Sequence, residues 1–176
     1  MEKRNKCIDL DMCIQMISRQ DHNALELLYK ELANPIYRFS LMILKDAHLA
    51  EDAMQNTFMK IMANAGLYRP GTKPRSWVFS IARNVCMDLY KQKSPVVEES
   101  VLNSLSDNYS IEDLADIISV REAIDKLTIT EKEILSLYIF AGLKQTEISK
   151  VMNLPYVKVR SHYKYAIQKI RKELGE

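Results

Sequence analysis

The residues from Gln145 to Lys164, QTEISKVMNLPYVKVRSHYK, constrain this chain most. Ile148, Met152, Leu154 and Val159 are apolar where two short crossed helices must face each other, and Ser149 between them is small enough for close contact. Asn153 stands where the connecting turn needs a left-handed backbone, which Asn tolerates better than most residues. The pattern predicts a helix-turn-helix, whose second helix characteristically lies against DNA. Here that helix carries one apolar stripe at helical spacing, Val159, Tyr163, Ala166, Ile170 and Leu174. Its other faces carry Lys158, Arg160, Ser161, His162, Lys164 and Tyr165, with no acid from Lys158 through Lys172. An ordinary helical hairpin with a solvated basic face shares the apolar pattern. Pro155 also stands where an N-cap Ser or Thr normally starts such a helix, so that end lacks a side-chain acceptor.

The distribution of charge supports a nucleic-acid partner. The net charge of +2 conceals blocks of −1 over residues 1–68, +5 over 69–93, −7 over 94–143 and +5 over 144–176. Two basic blocks separated by an acidic one suggest two nucleic-acid surfaces joined by a segment that avoids them, although such blocks are often only solvated faces. With 4 Gly and 5 Pro in 176 residues and little strand-like alternation, the expectation is an all-α chain. No apolar run approaches a membrane span, and MEKRNKCIDLDMC lacks the apolar stretch of a signal peptide. Cys7, Cys13 and Cys86 have no CxxC spacing and read as reduced thiols of a cytoplasmic protein, with no metal site implied.

Taken in order, Asp21 caps a helix using Leu25, Leu28 and Leu32, and Asn34-Pro35 is expected to break or kink it before the largely buried IYRFSLMILK. Asp46 caps a third helix with Ala50, Met54, Phe58 and Ile61 on one face and Glu51, Asp52, Gln55 and Asn56 on the other. NAGLYRPGTKP is a loop. From Arg75 a fourth helix packs through Trp77, Ile81, Val85 and Leu89, with Ser76, Ser80, Arg83, Asn84, Asp88 and Lys91 on its polar face. Tyr68, Trp77, Phe79 and Tyr90 lie among Arg69, Lys73, Arg75, Arg83, Lys91 and Lys93, the mixture of rings and cations that an unpaired strand needs. Phe79 reads equally well as core. Residues 94–110 are polar and acidic and read as a linker. A helix is expected from Ser110 to Lys126. The next, at Ile129-Thr130-Glu131-Lys132-Glu133-Ile134, opens with a capping box and hydrophobic staple and ends at Gly142.

These stretches in this order resemble the compact extracytoplasmic-function group of bacterial RNA polymerase sigma factors. The resemblance rests on AEDAMQNTFMKI (Ala50 to Ile61), RSWVFSIARNVCMDLYK (Arg75 to Lys91) and the run from Leu127 to Leu174. It implies two small helical domains on a flexible linker: residues 1–93 for core-polymerase docking and −10 recognition and melting, 94–110 as linker, and 111–176 as a helix-turn-helix domain reading the −35 element. By resemblance Glu51, Asp52, Gln55 and Phe58 dock on core polymerase. Arg75, Ser76, Trp77, Ser80, Arg83, Asn84 and Lys91 belong to the −10 reader, with the Leu67–Pro74 loop capturing a flipped base. Promoter DNA, core RNA polymerase and an anti-sigma protein are the implied partners, without a cofactor and without membrane insertion. Val157, Lys158, His162 and Lys164 depart from residues common in the family's recognition helix, so no promoter sequence carries over. A free-standing helix-turn-helix regulator is the alternative, but it gives no reason for the aromatic-basic helix. An enzyme is disfavoured, because His22, His48 and His162 are far apart and neither HExxH nor GxSxG occurs.

Overall fold

Helix α2 (His22–Leu44) is the axis on which the other helices are hung, touching α1, α3, α4 and α6. It starts at the expected cap, where the Asp21 carboxylate accepts the Asn23 and Ala24 N–H groups at 2.8 and 3.2 Å. It does not break at Asn34-Pro35. The computed structural model, which describes residues 8–92 and 120–175, continues the helix through Pro35. An interior Pro costs about 3 kcal/mol. Leu28, Leu32, Ile36, Phe39, Ile43 and Leu44 are all buried along α2, at about 1.5–3 kcal/mol each, so packing outweighs the lost hydrogen bond.

Helix α1 (Leu10–Ile17) occupies a stretch to which no element was assigned from sequence. Asp9 caps it, and Leu10, Cys13, Ile14 and Ile17 are buried. Helix α3 (Ala47–Asn64) opens as expected, with Asp46 accepting the Leu49 N–H at 2.9 Å. A 3-10 turn (Ala65–Leu67) and a loop lead to α4 (Pro74–Gln92), with Pro74 at its first position. The fully buried face of α4 is Val78, Phe79, Ala82, Val85 and Cys86, rotated away from the expected Trp77–Ile81–Val85–Leu89 stripe. The reason is that α4 is packed on two sides, against α2 and α3 and against α7. Phe79 is core and meets Phe39 edge-on at 5.9 Å.

Of the helix expected from Ser110, only 120–125 (α5) falls within the described residues, and the acidic linker 94–110 lies outside them. Helix α6 (Ile129–Ile139) is capped by Thr128 with Glu131 as its reciprocal partner, two residues earlier than a box built on Thr130 and Glu133. LTITEKEI contains T-x-x-E twice, so both registers satisfy the pattern. Residues 131–137 are buried on every side, as for a helix wedged inside a core. The helix stops at Gly142 (φ 66°), where the Leu143 N–H reaches back to the Leu137 carbonyl at 3.2 Å.

Helices α7 (Gln145–Met152) and α8 (Tyr156–Glu173) form the expected helix-turn-helix. Asn153 is left-handed (φ 52°, ψ 43°), and Ser149 donates its hydroxyl to the Leu154 carbonyl at 2.8 Å, fastening the turn. No strand occurs among the described residues. Ile134, Leu137, Ala141, Leu143, Ile148, Met152 and Val159 belong to the same apolar cluster as Leu28, Phe39 and Phe79. The C-terminal helices are therefore packed onto the N-terminal ones through a shared core, a contact of which the sequence bore no sign.

Candidate polymerase and promoter interfaces

Helix α8 is held by one side and presents the other. Val159 and Ala166 are buried, and Tyr163 meets the Tyr138 ring of α6 at a tilt of 58°, with centroids 4.9 Å apart. Lys158, Arg160, Ser161, Lys164 and Tyr165 are exposed and His162 is half-buried. Pro155 supplies no side-chain cap, as expected, so the helix start leaves amide donors open to an external acceptor. Lys169 does not join this face. Its ammonium sits on both oxygens of Glu131, at 2.9 and 2.7 Å. Burial alone would raise the Glu131 carboxyl, but Lys169 and Thr128 outweigh it and hold the group below its ordinary value.

The polar residues of α4 divide between two surroundings. Trp77, Ile81 and Asn84 face an open notch of about 300 Å³, completed by Lys60, Asn64 and Leu67. Leu67 is 77% exposed at its rim, and Asn84 and Lys91 are exposed. Trp77 is fixed from behind by the edge of Tyr68, with ring centroids 5.2 Å apart. Ser80 turns its hydroxyl inward to the Trp77 carbonyl at 2.6 Å.

Three cations of α4 and its preceding loop, Lys73, Arg75 and Arg83, face elsewhere. Arg75 reaches Glu31 of α2 at 2.6 Å and the Ala141 carbonyl at 3.3 Å. Lys73 lies 3.4 Å from Glu147. Arg83 meets Glu133 of α6 at 2.7 Å, without the alignment of a hydrogen bond. The Ser76 hydroxyl is enclosed and has no partner among the described residues. Arg75, Ser76 and Arg83 are thus turned toward protein, whereas Trp77 and Asn84 are turned toward open space. Glu31 and Glu147 were not singled out from sequence, and Glu133 was not read as a partner for Arg83. The second T-x-x-E of α6 was the only available signal for Glu133, and it pointed to a cap.

On α3, Glu51, Asp52 and Gln55 are exposed together. Phe58 is not. It is 6% exposed and packs its ring on Tyr29 at 4.8 Å, so it secures α3 to α2. The Cys13 and Cys86 thiols are buried, and burial pushes Cys86 up to about 12, which leaves it a poor nucleophile. Among the described residues no cluster of His, Cys, Asp or Glu could hold a metal, and no helix is long and apolar enough to cross a membrane.

A helix-turn-helix preceded by an aromatic notch matches two consecutive family models: Sigma-70 region 2 over residues 28–96 and Sigma-70 region 4 over residues 123–172. The chain belongs to the sigma-70 family, in its extracytoplasmic-function group. As such a sigma factor it binds core RNA polymerase, directs it to promoters and promotes melting for initiation. It is 29% identical over 150 residues to the extracytoplasmic-function sigma factor SigM of Bacillus subtilis, covering 82% of this chain and 91% of that one. SigX of the same organism is 22% identical over 161 residues, covering 85% and 82%. The fold is shared with CnrH in complex with the cytosolic domain of CnrY (TM-score 0.73, 18% identity, 94% of this sigma factor and 96% of that chain). It is also shared with sigma factor RpoE in complex with the anti-sigma factor NepR from Bartonella quintana (TM-score 0.72, 18% identity, 85% and 96%). Helix α1 lies wholly outside the region 2 match, and the acidic linker falls mostly between the two matches.

Proposed function

We propose that this sigma factor divides its work among three surfaces. Glu51, Asp52 and Gln55 of α3 dock on core polymerase; α4 with the loop before it takes the −10 strand; and the exposed face of α8 reads the −35 element. Residues 1–93 and 111–176 are the corresponding functional units, joined by the acidic stretch 94–110. The observation that carries this reading is the exposed cationic face of α8 combined with an aromatic-lined notch on α4. The notch suits one base, which Trp77 can meet with a ring and Asn84 with an amide. Run-off transcription from genomic fragments by core polymerase tests the reading. Discrete start sites must appear only when the chain is added.

Reading by α4 also requires the C-terminal helices to lift away from it. Arg83 cannot contact phosphate while Glu133 of α6 holds it, and Glu147 of α7 stands beside Lys73 on the same surface. The packed arrangement is a resting one in which carboxylates occupy the places of phosphates. Core polymerase opens it by binding the two units apart. CnrH and RpoE are seen with CnrY and NepR, and a comparable anti-sigma partner would hold this chain in its resting arrangement. The chain acts in the cytoplasm, where its polymerase and template are.

A further inference from the structure

The Asp11 carboxylate leaves its own helix and fastens the loop between α3 and α4. Asp9 already caps α1, accepting the Asp11 and Met12 N–H groups at 3.0 and 3.2 Å, so the helix start does not need Asp11. One Asp11 oxygen instead accepts both the Tyr68 hydroxyl and the Gly71 N–H, the latter at 2.9 Å. Its other oxygen takes the Gln15 amide at 2.7 Å, which fixes the carboxylate plane. Thr72 closes the same turn by donating to the Arg69 carbonyl at 2.7 Å. Gly71 has φ 74°, so a free loop here would sample many shapes, and ordering it carries a conformational cost. Tyr68 then transmits the anchor. Its ring backs Trp77, and Trp77 forms one wall of the notch. A carboxylate shared by a phenol and a backbone amide is a charge-assisted anchor, stronger than a neutral pair.

We propose that Asp11 is a positioning residue for promoter opening: through Tyr68 and Gly71 it holds loop 68–73 and the Trp77 wall in the shape that receives the displaced −10 base. The inference rests on the reading of the notch as the −10 site. It places a determinant of opening on a helix outside the region 2 match.

The test uses full-length chain reconstituted with core polymerase and compares Asp11→Ala, Asp11→Asn, Tyr68→Phe, the Asp11→Ala/Tyr68→Phe double variant and Asn84→Ala. Permanganate reactivity of −10 thymines reports opening, and titration of labelled core reports assembly. Asp11→Ala lowers opening about tenfold, the size of one lost charge-assisted hydrogen bond, and leaves core affinity unchanged. Asp11→Asn keeps an acceptor and restores part of the loss. The double variant opens no worse than Asp11→Ala alone, because both changes cut one chain of contacts. Wild-type opening by Asp11→Ala alongside a defective Asn84→Ala overturns the proposal and spares the notch reading. Wild-type opening by both overturns the notch reading itself. Equal losses of opening and core affinity in Asp11→Ala, with no rescue by Asn, reduce Asp11 to a folding contact and also overturn the proposal.

Discussion

Arg83 of α4 and Glu133 of α6 meet at 2.7 Å between the two halves of the chain, with side chains 22% and 4% exposed. Burial pushes the Glu133 carboxyl up, and Arg83 only partly offsets it. Desolvation therefore opposes the charged carboxylate, and a buried pair of this kind contributes little net stability as a rule. The apolar cluster that Ile134, Leu137, Ile148 and Met152 share with Leu28, Phe39 and Phe79 supplies the cohesion.

Arg83→Ala leaves the Glu133 carboxylate enclosed without its cation. Breaking a fully buried pair costs about 3–5 kcal/mol, and the partial exposure of Arg83 reduces this to about 1–3 kcal/mol. Chemical denaturation of the free chain checks it. The paired replacement Arg83→Met with Glu133→Leu is expected to match or exceed wild-type stability. A double variant less stable than Arg83→Ala would show that the pair itself holds the halves together.

The same pair sets a pH dependence. Because the native pKa of Glu133 lies above its ordinary 4.5, the folded chain holds this proton more tightly than the unfolded one. Stability from this group is present below 4.5 and falls as pH rises through the native value. Glu131 has the opposite sign, being held low, so its contribution is lost as pH falls. Denaturation midpoints across the acid range should show Glu133→Gln removing the decline with rising pH, while Lys169→Ala weakens the decline on acidification.

Asn84 gives a cleaner reading of −10 function than Arg83, since it is exposed at the notch whereas Arg83 is paired with Glu133. Asn84→Ala is expected to assemble with core normally and to lose about 0.5–1.5 kcal/mol of strand capture, the size of one amide hydrogen bond, seen as weak permanganate reactivity at the −10 thymines. Full reactivity would remove Asn84 from the site.

Docking separates the same way on α3. Asp52→Lys alters an exposed group and should weaken core binding while the fold stays intact. Phe58→Ala should instead cost about 3–5 kcal/mol of stability, because it empties the contact with Tyr29. Calorimetry on the free chains and titration against labelled core distinguish the two.

On α8, Arg160→Ala and Lys164→Ala should each lower the salt dependence of promoter binding by about one phosphate contact. Lys169→Ala should leave that slope unchanged and destabilise α6, since its charge is committed to Glu131. An altered slope in Lys169→Ala would place this lysine on the DNA face instead.

Local chemistry decided much of this molecule. The caps at Asp21 and Asp46, the left-handed Asn153, the stop at Gly142 and the one-sided face of α8 follow from interactions within a few residues of chain. Such features are legible in sequence because both partners lie in one short window. Tertiary structure decided what local rules left degenerate. Pro35 stays inside a helix because distant apolar groups bury α2 along its length. The T-x-x-E beginning at Thr128 became the cap, which left Glu133 to face Arg83 from fifty residues away. Phe58 and Trp77 share an apolar-spaced pattern with their neighbours, yet one is core and the other lines an open notch. Asp11 looks like any first-turn acid until the loop fifty-seven residues later reaches it. Hydrogen-bonding capacity is written in the sequence, but which distant partner claims it depends on how the helices pack.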